Sequence, residues 1–190
     1  EEYGPQSVQT KEVLRPEVVY LINDILSDNG ARIPAFGADN QLQLSRPAAV
    51  KTGTTNDWRD AWTVGYTPQL VTGVWVGNSS GEPMKNVPGS RGAAPIWHDI
   101  MEKLLAPLPV VQFAEPAGLE RAEICSSSGL LPTEYCPRRR IEVFIKGTAP
   151  VAYDDVNRPF RICNPSGKLA TIYCPPDQIE EKVFQIYPPE

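Results

Sequence analysis

Four consecutive residues carry the side chains best suited to chemistry in this sequence: Lys51, Thr52, Gly53 and Thr54. The lysine ammonium raises the local electrostatic potential, and the two threonine hydroxyls can hydrogen-bond a carboxylate. Gly53 leaves space for a substrate backbone along a strand edge, and a main-chain N–H just beyond it can face an oxyanion. One such donor contributes about 3–4 kcal/mol to transition-state stabilisation. The tetrapeptide therefore fits a serine acyl-transfer site for a peptide that bears a carboxylate.

A strand must present this tetrapeptide, and three strand-like segments occupy residues 48–54, 60–66 and 70–76. Their connections are shorter than the dozen or more residues of a parallel crossover, so we expect an antiparallel meander. Apolar residues recur at helical spacing over residues 16–28 and 95–105, which predicts helices that cover the sheet. The predicted fold class is α/β of the α+β kind, a three-stranded antiparallel meander flanked by helices.

Proline and glycine mark the irregular segments. Residues 31–47 lack clear periodicity and contain both residue types, so they predict a loop across the surface. A proline-punctuated linker over residues 107–116 separates two predicted domains, residues 1–107 and residues 108–190.

The second domain contains an internal repeat. Residues 124–137 and 162–175 share Ile, Cys, Ser, Gly, Leu, Thr, Tyr, Cys and Pro in one register. Each copy predicts a small β-hairpin with Ser-Gly at its turn and a cysteine near each end. Tyr135 and Tyr173 occupy equivalent positions, so we expect both rings to pack within their hairpins.

All four cysteines lie in these repeats at the same spacing: Cys125, Cys136, Cys163 and Cys174. Two interpretations remain open, a disulfide that closes each hairpin or a single four-thiolate zinc site. Structural zinc prefers ligands two to four residues apart, whereas ten residues separate each pair, so disulfides without a metal are favoured. Each would stabilise the fold by roughly 3 kcal/mol. Disulfides indicate an oxidising compartment outside the cytoplasm.

Composition argues against several function classes. The net charge of −5 disfavours nucleic acid as a partner, because phosphates require a basic surface. The sequence contains no run of about eighteen apolar residues, and it opens at Glu1 without a signal peptide. We therefore expect membrane attachment only through an N-terminal anchor that this sequence does not include.

The residues around the tetrapeptide and in the second predicted domain (the tail, residues 108–190) match a known family. Residues 46–50 lead into the tetrapeptide, and residues 60–68 and 71–78 follow it at strand-sized intervals. This stretch resembles the class A (bifunctional) penicillin-binding proteins of bacterial cell-wall synthesis, over at least residues 15–106. The Cys-x-x-Ser-Gly-Leu-Leu-Pro-Thr element and residues 144–148 resemble the C-terminal extension of some members. The resemblance implies the C-terminal part of a transpeptidase domain followed by that extension.

This resemblance implies a role for each residue of the tetrapeptide. Lys51 would line the cleft opposite the nucleophile, and Thr52 and Thr54 would bind the carboxylate of a stem peptide or a β-lactam. The Thr54 amide would supply one of two oxyanion-hole donors, and Gly53 would leave room for the substrate. Trp58, just beyond the tetrapeptide, is the best aromatic candidate for the substrate groove. No cofactor is implied, because a serine attacks the D-Ala-D-Ala bond and an amine resolves the acyl-enzyme.

The nucleophile of this family is absent from the sequence. Its motif is serine, two residues, then lysine, and no serine here has a lysine three positions later. Ser27-Asp28-Asn29 matches the third family motif, Ser-x-Asn, in letters only, because it lies just 24 residues before Lys51 (51 − 27). These residues predict instead a helix C-terminus that leads into Gly30. We therefore expect the isolated chain to be inactive and to require the upstream half of the domain.

Two other functions stay open. The chain could be a non-catalytic module whose stapled tail binds cell-wall glycan or a partner protein. It could also be a relative of the β-lactam hydrolases, which share the strand motif.

Several other residues are expected to serve structure. His98, the only histidine, lies among polar residues of its helix and has no indicated nucleophile to activate. Arg59 and Asp60 are expected to form a local charge pair, and Trp62 and Trp75 are expected to pack.

Overall fold

The computed structural model describes residue 11, residues 13–85 and residues 87–187. The chain forms two compact units, Glu1–Ala117 and Gly118–Glu190. Within the part of the chain that is described, no helix is both long and apolar enough to cross a membrane.

The first unit is built on a three-stranded antiparallel sheet, as the sequence predicts. β1 (Ala49–Thr54), β2 (Asp60–Tyr66) and β3 (Val71–Gly77) lie in the order β1-β2-β3, each within one residue of its predicted bounds. Thr52 on β1 faces Thr63 on β2. Because β1 is an edge strand of this sheet, one side of its main chain has no partner within the sheet.

Helices precede and follow the sheet. α1 (Pro16–Ser27) and α3 (Ala93–Leu105) confirm the two predicted helices, although α3 begins two residues earlier than expected. Proline occupies the first turn of α1. N–H groups in the first turn have no partner within the helix, so the missing proline N–H costs no hydrogen bond.

The prediction that residues 31–47 form one continuous loop is wrong. α2 (Asn29–Phe36) occupies the start of this segment, although Pro34 lies inside it. The Asp28 carboxylate caps α2 by accepting a hydrogen bond at 3.1 Å from a main-chain N–H of the first turn. Gly37 ends α2 at a φ of 83°, a left-handed conformation that glycine adopts without strain. The cap and this ending define a short helix that the sequence pattern does not reveal.

The core of the first unit lies between α3 and one face of the sheet. Trp97, Met101 and Leu105 recur at helical spacing and are fully or almost fully buried. They pack against residues of β1 and of the segment that leads into it: Leu42, Leu44, Ala48 and Val50. Burial of one large apolar side chain contributes about 1.5–3 kcal/mol. This cluster therefore fixes the position of β1 relative to α3.

The second unit consists of two small antiparallel sheets. β4 (Leu119–Cys125) pairs with β5 (Arg139–Ile145). In the other sheet, β6 (Asn157–Cys163) lies between β7 (Lys168–Leu169) and β8 (Ile179–Gln185).

Two disulfides close the repeats of the second unit, as predicted. Cys125 bonds to Cys136 and Cys163 bonds to Cys174, and the described chain has no free cysteine. A zinc site of four thiolates is thereby excluded, because all four sulfur atoms are in disulfide bonds.

The prediction that each repeat forms a hairpin is confirmed in part. In the second copy, Ile162 pairs with Leu169 and Cys163 with Lys168, on either side of a turn that contains Gly167. In the first copy, the Cys125 N–H donates to the Leu130 carbonyl across the equivalent turn. The longer pairings, β4 with β5 and β6 with β8, use partner strands that lie outside the repeats. Tyr173 is 89% exposed, which contradicts its predicted packing, whereas Tyr135 is half-buried.

Gly65 on β2 provides a test of how closely α3 packs on the sheet. A Cβ atom at this position would overlap the ring of Trp97 and lie 2.9 Å from Cβ of Val50. We expect Gly65→Ala to lower the free energy of unfolding by about 1–3 kcal/mol, because overpacking displaces buried side chains from their rotamers. Chemical denaturation measures this change.

Gly73→Ala on β3 is the matched control, since its Cβ would lie 3.6 Å from Cγ2 of Val64, an ordinary contact. We expect its free energy of unfolding to stay within about 0.5 kcal/mol of the original value. Equal destabilisation by the two substitutions would contradict the close packing of Trp97 on Gly65.

Candidate functional site

The main chain of β1 presents polar groups to the open edge of the sheet. The Thr55 N–H donates to the Asp60 carbonyl at 3.0 Å, so these facing residues form a hydrogen-bonded pair. Along an antiparallel ladder, residue pairs that exchange hydrogen bonds alternate with pairs whose N–H and C=O groups point outward. The N–H and C=O groups of Thr54, and two residues earlier those of Thr52, therefore point away from β2. The edge that the sequence predicted for substrate contact is thus open in this sheet.

The side chains of the tetrapeptide are divided between the two faces of β1. Strand geometry places Lys51 on the opposite face from Thr52 and Thr54. Lys51 is exposed, and its Nζ bends to donate to the outward-facing Thr52 carbonyl at 2.6 Å. The ammonium therefore lies at the open edge even though its side chain leaves the strand on the other face from the hydroxyls.

Thr54 is held by a loop that the sequence analysis missed. Its Oγ1 accepts a hydrogen bond from the Gly89 N–H at 3.0 Å, which leaves the hydroxyl hydrogen able to donate. The Gly89 carbonyl accepts from the buried Thr63 hydroxyl at 3.3 Å. A Cβ on Gly89 would lie 2.5 Å from the Trp62 carbonyl and 2.6 Å from the Gly53 carbonyl. Only glycine can approach the strand main chain this closely, and this approach orients the Thr54 side chain.

Trp58 lies in the tight turn between β1 and β2. Asp57 and Trp58 have φ values of 60° and 57°, a left-handed backbone that is uncommon outside glycine and is often found at functional sites. The Trp58 side chain is 40% exposed, and its carbonyl accepts a hydrogen bond from the Met84 N–H at 2.9 Å. The ring is therefore accessible beside the tetrapeptide.

The predicted charge pair between Arg59 and Asp60 is wrong. Arg59 donates to the Gly81 carbonyl at 2.5 Å. The Asp60 carboxylate accepts from the Thr55 hydroxyl at 2.9 Å and from the Trp75 indole N–H at 2.8 Å. Asp60 therefore closes the turn and orients the Trp75 indole. The opposite charges of Arg59 and Asp60 do not reveal this structural role from the sequence.

Trp62 and Trp75 face each other across β2 and β3 on the side of the sheet away from the main core. Their exposed fractions are 44% and 43%, and Val64 and Val71 on the same side are 45% and 67% exposed. The tryptophans pack only partly within this unit.

A cavity of about 260 Å³ lies between α1, α2 and β1. Lys51 and Thr52 form part of its wall, and the rest is mostly apolar, including Ile25, Phe36 and Val50. The sequence analysis missed this cavity because it treated the residues of α2 as a surface loop. The cavity places an apolar concave surface directly beside the tetrapeptide.

Glu102 on α3 anchors the segment that leads into β1. The Ser45 N–H and hydroxyl donate to its two carboxylate oxygens at 2.5 and 2.8 Å. Burial alone would raise the pKa of Glu102, but these hydrogen bonds, with the charges of His98 and Arg46, outweigh it and hold that pKa below its usual range. This double contact ties the start of β1 to α3.

Two other predictions concern residues outside this site. The His98 ring lies 3.4 Å from the Asp99 carboxylate of the same helix. Ser27 ends α1 and Asp28 caps α2, so the predicted helix end is correct, but Gly30 continues into a second helix rather than a loop.

The Ser45–Glu102 contact makes stability depend on pH. Because the pKa of Glu102 is lowered by folding, the carboxylate stabilises the fold above its unfolded pKa of about 4.3. That contribution is lost as the pH falls through the lower folded value. We expect Glu102→Gln to cost about 1 kcal/mol at pH 7, a modest value because solvent screens the contact, and less at pH 3.

Denaturation of Glu102→Gln at several pH values, alone and combined with Ser45→Ala, measures this effect. Glu82→Gln, at an exposed loop position, is the matched control and should show no such difference. Additive effects of the Glu102 and Ser45 substitutions would contradict a direct coupling between the two side chains.

Comparison with known proteins identifies the family. Residues 115–159 match the family model described as penicillin-binding protein 1A, C-terminal domain. Penicillin-binding protein 1A of Clostridium botulinum (strain Langeland) is 34% identical over 182 residues, which cover 92% of this chain and 22% of that protein. The Aquifex aeolicus protein of the same name is 40% identical over 116 residues, covering 60% of this chain and 16% of that protein.

A solved structure agrees with these matches. The 2.6 Å crystal structure of penicillin-binding protein 1A from Haemophilus influenzae aligns with a TM-score of 0.51 at 31% sequence identity. The alignment covers 58% of this chain and 16% of that one. This chain thus spans about a fifth of the length of the curated relatives it matches. It belongs to the class A penicillin-binding protein family and corresponds to part of such a protein, the region that includes the C-terminal domain.

Proposed function

We propose that β1 forms one wall of a peptidoglycan D,D-transpeptidase site in the full-length protein that contains this region. The nucleophilic serine belongs to another part of that protein, because no serine here stands three residues before a lysine. The substrates are peptidoglycan stem peptides, and β-lactams occupy the same site. The isolated chain is therefore inactive and requires the upstream half of the domain.

The observation that carries this proposal is the open edge of β1. The outward N–H and C=O groups of Thr52 and Thr54 can pair with an extended peptide, as main-chain groups of an exposed strand commonly do. The Lys51 ammonium lies beside them, within 2.6 Å of the Thr52 carbonyl. A stem peptide that ends in a carboxylate matches this combination of main-chain groups, hydroxyls and positive charge.

Each group has a defined task in the proposed reaction. The serine oxygen attacks the carbonyl carbon of the D-Ala-D-Ala bond, and the developing oxyanion accepts from the Thr54 N–H. The bond to the terminal alanine then breaks, and its nitrogen leaves as an amine after gaining a proton. An amine from a neighbouring stem attacks the resulting ester, which forms the cross-link and releases the serine. Lys51 supplies positive potential throughout, and the Thr52 and Thr54 hydroxyls hold the substrate carboxylate.

The surroundings of the tetrapeptide support substrate binding. The Thr54 hydroxyl can donate its hydrogen to a substrate, because its oxygen only accepts a hydrogen bond from the Gly89 N–H. Trp58 remains 40% exposed beside the strand end and can cover the bound peptide. The two disulfides of the second unit favour an extracytoplasmic location, which is also where stem peptides are cross-linked.

Labelling of the full-length protein with a fluorescent penicillin tests the proposal. We expect Lys51→Ala to lower the labelling rate by about tenfold or more, because loss of one electrostatic contact to a reacting group commonly costs that much. Thr54→Val should also reduce labelling, whereas Thr54→Ser, which keeps a hydroxyl, should retain most of it.

Lys103→Ala is the matched control, since Lys103 is an exposed lysine of α3 away from the tetrapeptide. Its labelling should equal that of the unmodified protein. Thermal unfolding of each variant separates loss of fold from loss of chemistry. Normal labelling of a folded Lys51→Ala variant would exclude the proposed role of β1 and would favour a non-catalytic module.

A further inference from the structure

The second unit has two disulfide loops, the first from Cys125 to Cys136 and the second from Cys163 to Cys174. They share one pattern of main-chain hydrogen bonds. The Gly129 N–H donates to the Cys125 carbonyl and the Gly167 N–H donates to the Cys163 carbonyl, both at 2.8 Å. The Cα atoms of the bonded cysteines are 5.8 and 5.9 Å apart. Each loop can therefore serve as a structural reference for the other.

The first loop binds an extended segment of its own chain. The Leu131 N–H donates to the Ala152 carbonyl at 3.0 Å, and the Asp154 N–H donates to the Leu131 carbonyl at 2.7 Å. These bonds make a parallel bridge between Leu131 and Tyr153. Residues 151–154 thus add to the outer edge of the first loop as a very short parallel strand.

A buried carboxylate accompanies this bridge. Asp154 is buried and accepts hydrogen bonds from the Asn157 side chain at 2.7 Å and from the Val156 N–H at 3.1 Å. Burial raises the pKa of Asp154, but the hydrogen bonds, including one from Ser128, outweigh it and lower that pKa overall. The first loop therefore holds a main-chain bridge and an ionised acidic side chain together.

The second loop has the same edge without an occupant in the described part of the second unit. Leu169 holds the position of Leu131, and it lies on β7, an outer strand of its sheet. The Ala170 N–H donates to the Arg161 carbonyl at 2.8 Å, so alternation directs the N–H and C=O of Leu169 away from β6. These are the two groups that Leu131 uses in the first loop.

The described residues after β8 do not reach this edge. β8 pairs with β6 on the side opposite to β7. The Ile186 N–H then donates to the Val156 carbonyl at 2.8 Å, which keeps the chain on that side through Tyr187. An occupant of this edge would therefore come from outside the described residues of the second unit.

The side chains of the second loop fit an acidic occupant. Ser166 matches Ser128 and accepts a hydrogen bond from the Lys168 N–H at 3.3 Å, as Ser128 does from Leu130. Its own hydroxyl donates to the Cys163 carbonyl at 3.3 Å, so the charge for an acidic occupant comes from Lys168. Lys168 replaces Leu130 and adds a positive charge next to Leu169. The apolar side chains of this loop are more open than those of the first: Leu169, Ile172 and Tyr173 are 61%, 92% and 89% exposed.

We propose that the outer edge of β7 binds an extended, acidic segment of a partner protein. The segment adds in parallel register through the N–H and C=O of Leu169, as residues 151–154 add to Leu131. Lys168 receives the carboxylate of the residue that follows the bridge, and Leu169, Ile172 and Tyr173 provide apolar contact. This site is separate from the tetrapeptide of β1 and does not depend on its proposed role.

A peptide with the sequence of residues 150–156, acetylated and amidated at its ends, is the probe. It is titrated into the isotope-labelled 190-residue chain with both disulfides intact, and main-chain amide shifts are followed by NMR. We expect saturable shifts at Lys168, Leu169 and Ala170 and none at Leu131, whose edge is already occupied. A peptide with Asn in place of the aspartate that matches Asp154 should bind about tenfold more weakly.

Leu169→Pro is the decisive variant, because proline removes the outward N–H and is tolerated on the free side of an edge strand. We expect it to abolish the shifts while the amide spectrum of β4, β5 and β8 stays unchanged. Lys168→Glu should weaken binding as well, whereas Lys146→Glu, an exposed lysine elsewhere in the same unit, should not. The charge variants keep the test decisive even if the proline disturbs the loop.

Three outcomes would overturn the proposal. The first is the absence of saturable shifts up to about 5 mM peptide, an affinity too weak for recognition. The second is a set of shifts centred on Leu131, which would mean that the peptide displaces residues 151–154. The third is concentration-dependent shifts at Lys168, Leu169 and Ala170 without peptide, which would identify a second copy of this chain as the occupant.

Discussion

β1 pairs with β2 on one side and is open on the other side of the sheet. An antiparallel edge strand turns alternate main-chain groups away from its only neighbour, and in β1 these groups belong to Thr52 and Thr54. A slip of one residue against β2 would turn them inward and would move each side chain to the other face of the sheet. The fold must therefore hold the register of a strand that is paired on only one side.

Three separate contacts fix that register. Val50 packs in the cluster beneath Trp97, and the Gly89 loop holds Thr54 from the other end of the strand. Ahead of the strand, Glu102 binds both the N–H and the hydroxyl of Ser45. Together they secure the beginning, middle and end of β1 without covering its open edge.

The sequence predicted what local pattern controls. Residues 51–54 lie on the expected strand because short connections permit only antiparallel pairing, and the turns at Gly129 and Gly167 occur at the repeated Ser-Gly positions. What it missed depends on distant residues. The bond from Gly89 to Thr54 joins positions 35 residues apart, and α2 forms despite an internal proline. The repeats predict their own turns but not the longer partner strands β5 and β8, because those strands lie outside the matching residues.

A crystal structure of the full-length protein acylated by a penicillin would locate the acyl group relative to β1. We expect the acyl carbonyl oxygen to lie about 3 Å from the Thr54 amide nitrogen. We also expect the bound carboxylate to lie within hydrogen-bonding distance of the hydroxyl of Thr52 or Thr54. An acyl group bound away from β1, or a β1 edge covered by another strand of the same protein, would contradict the proposed role of β1.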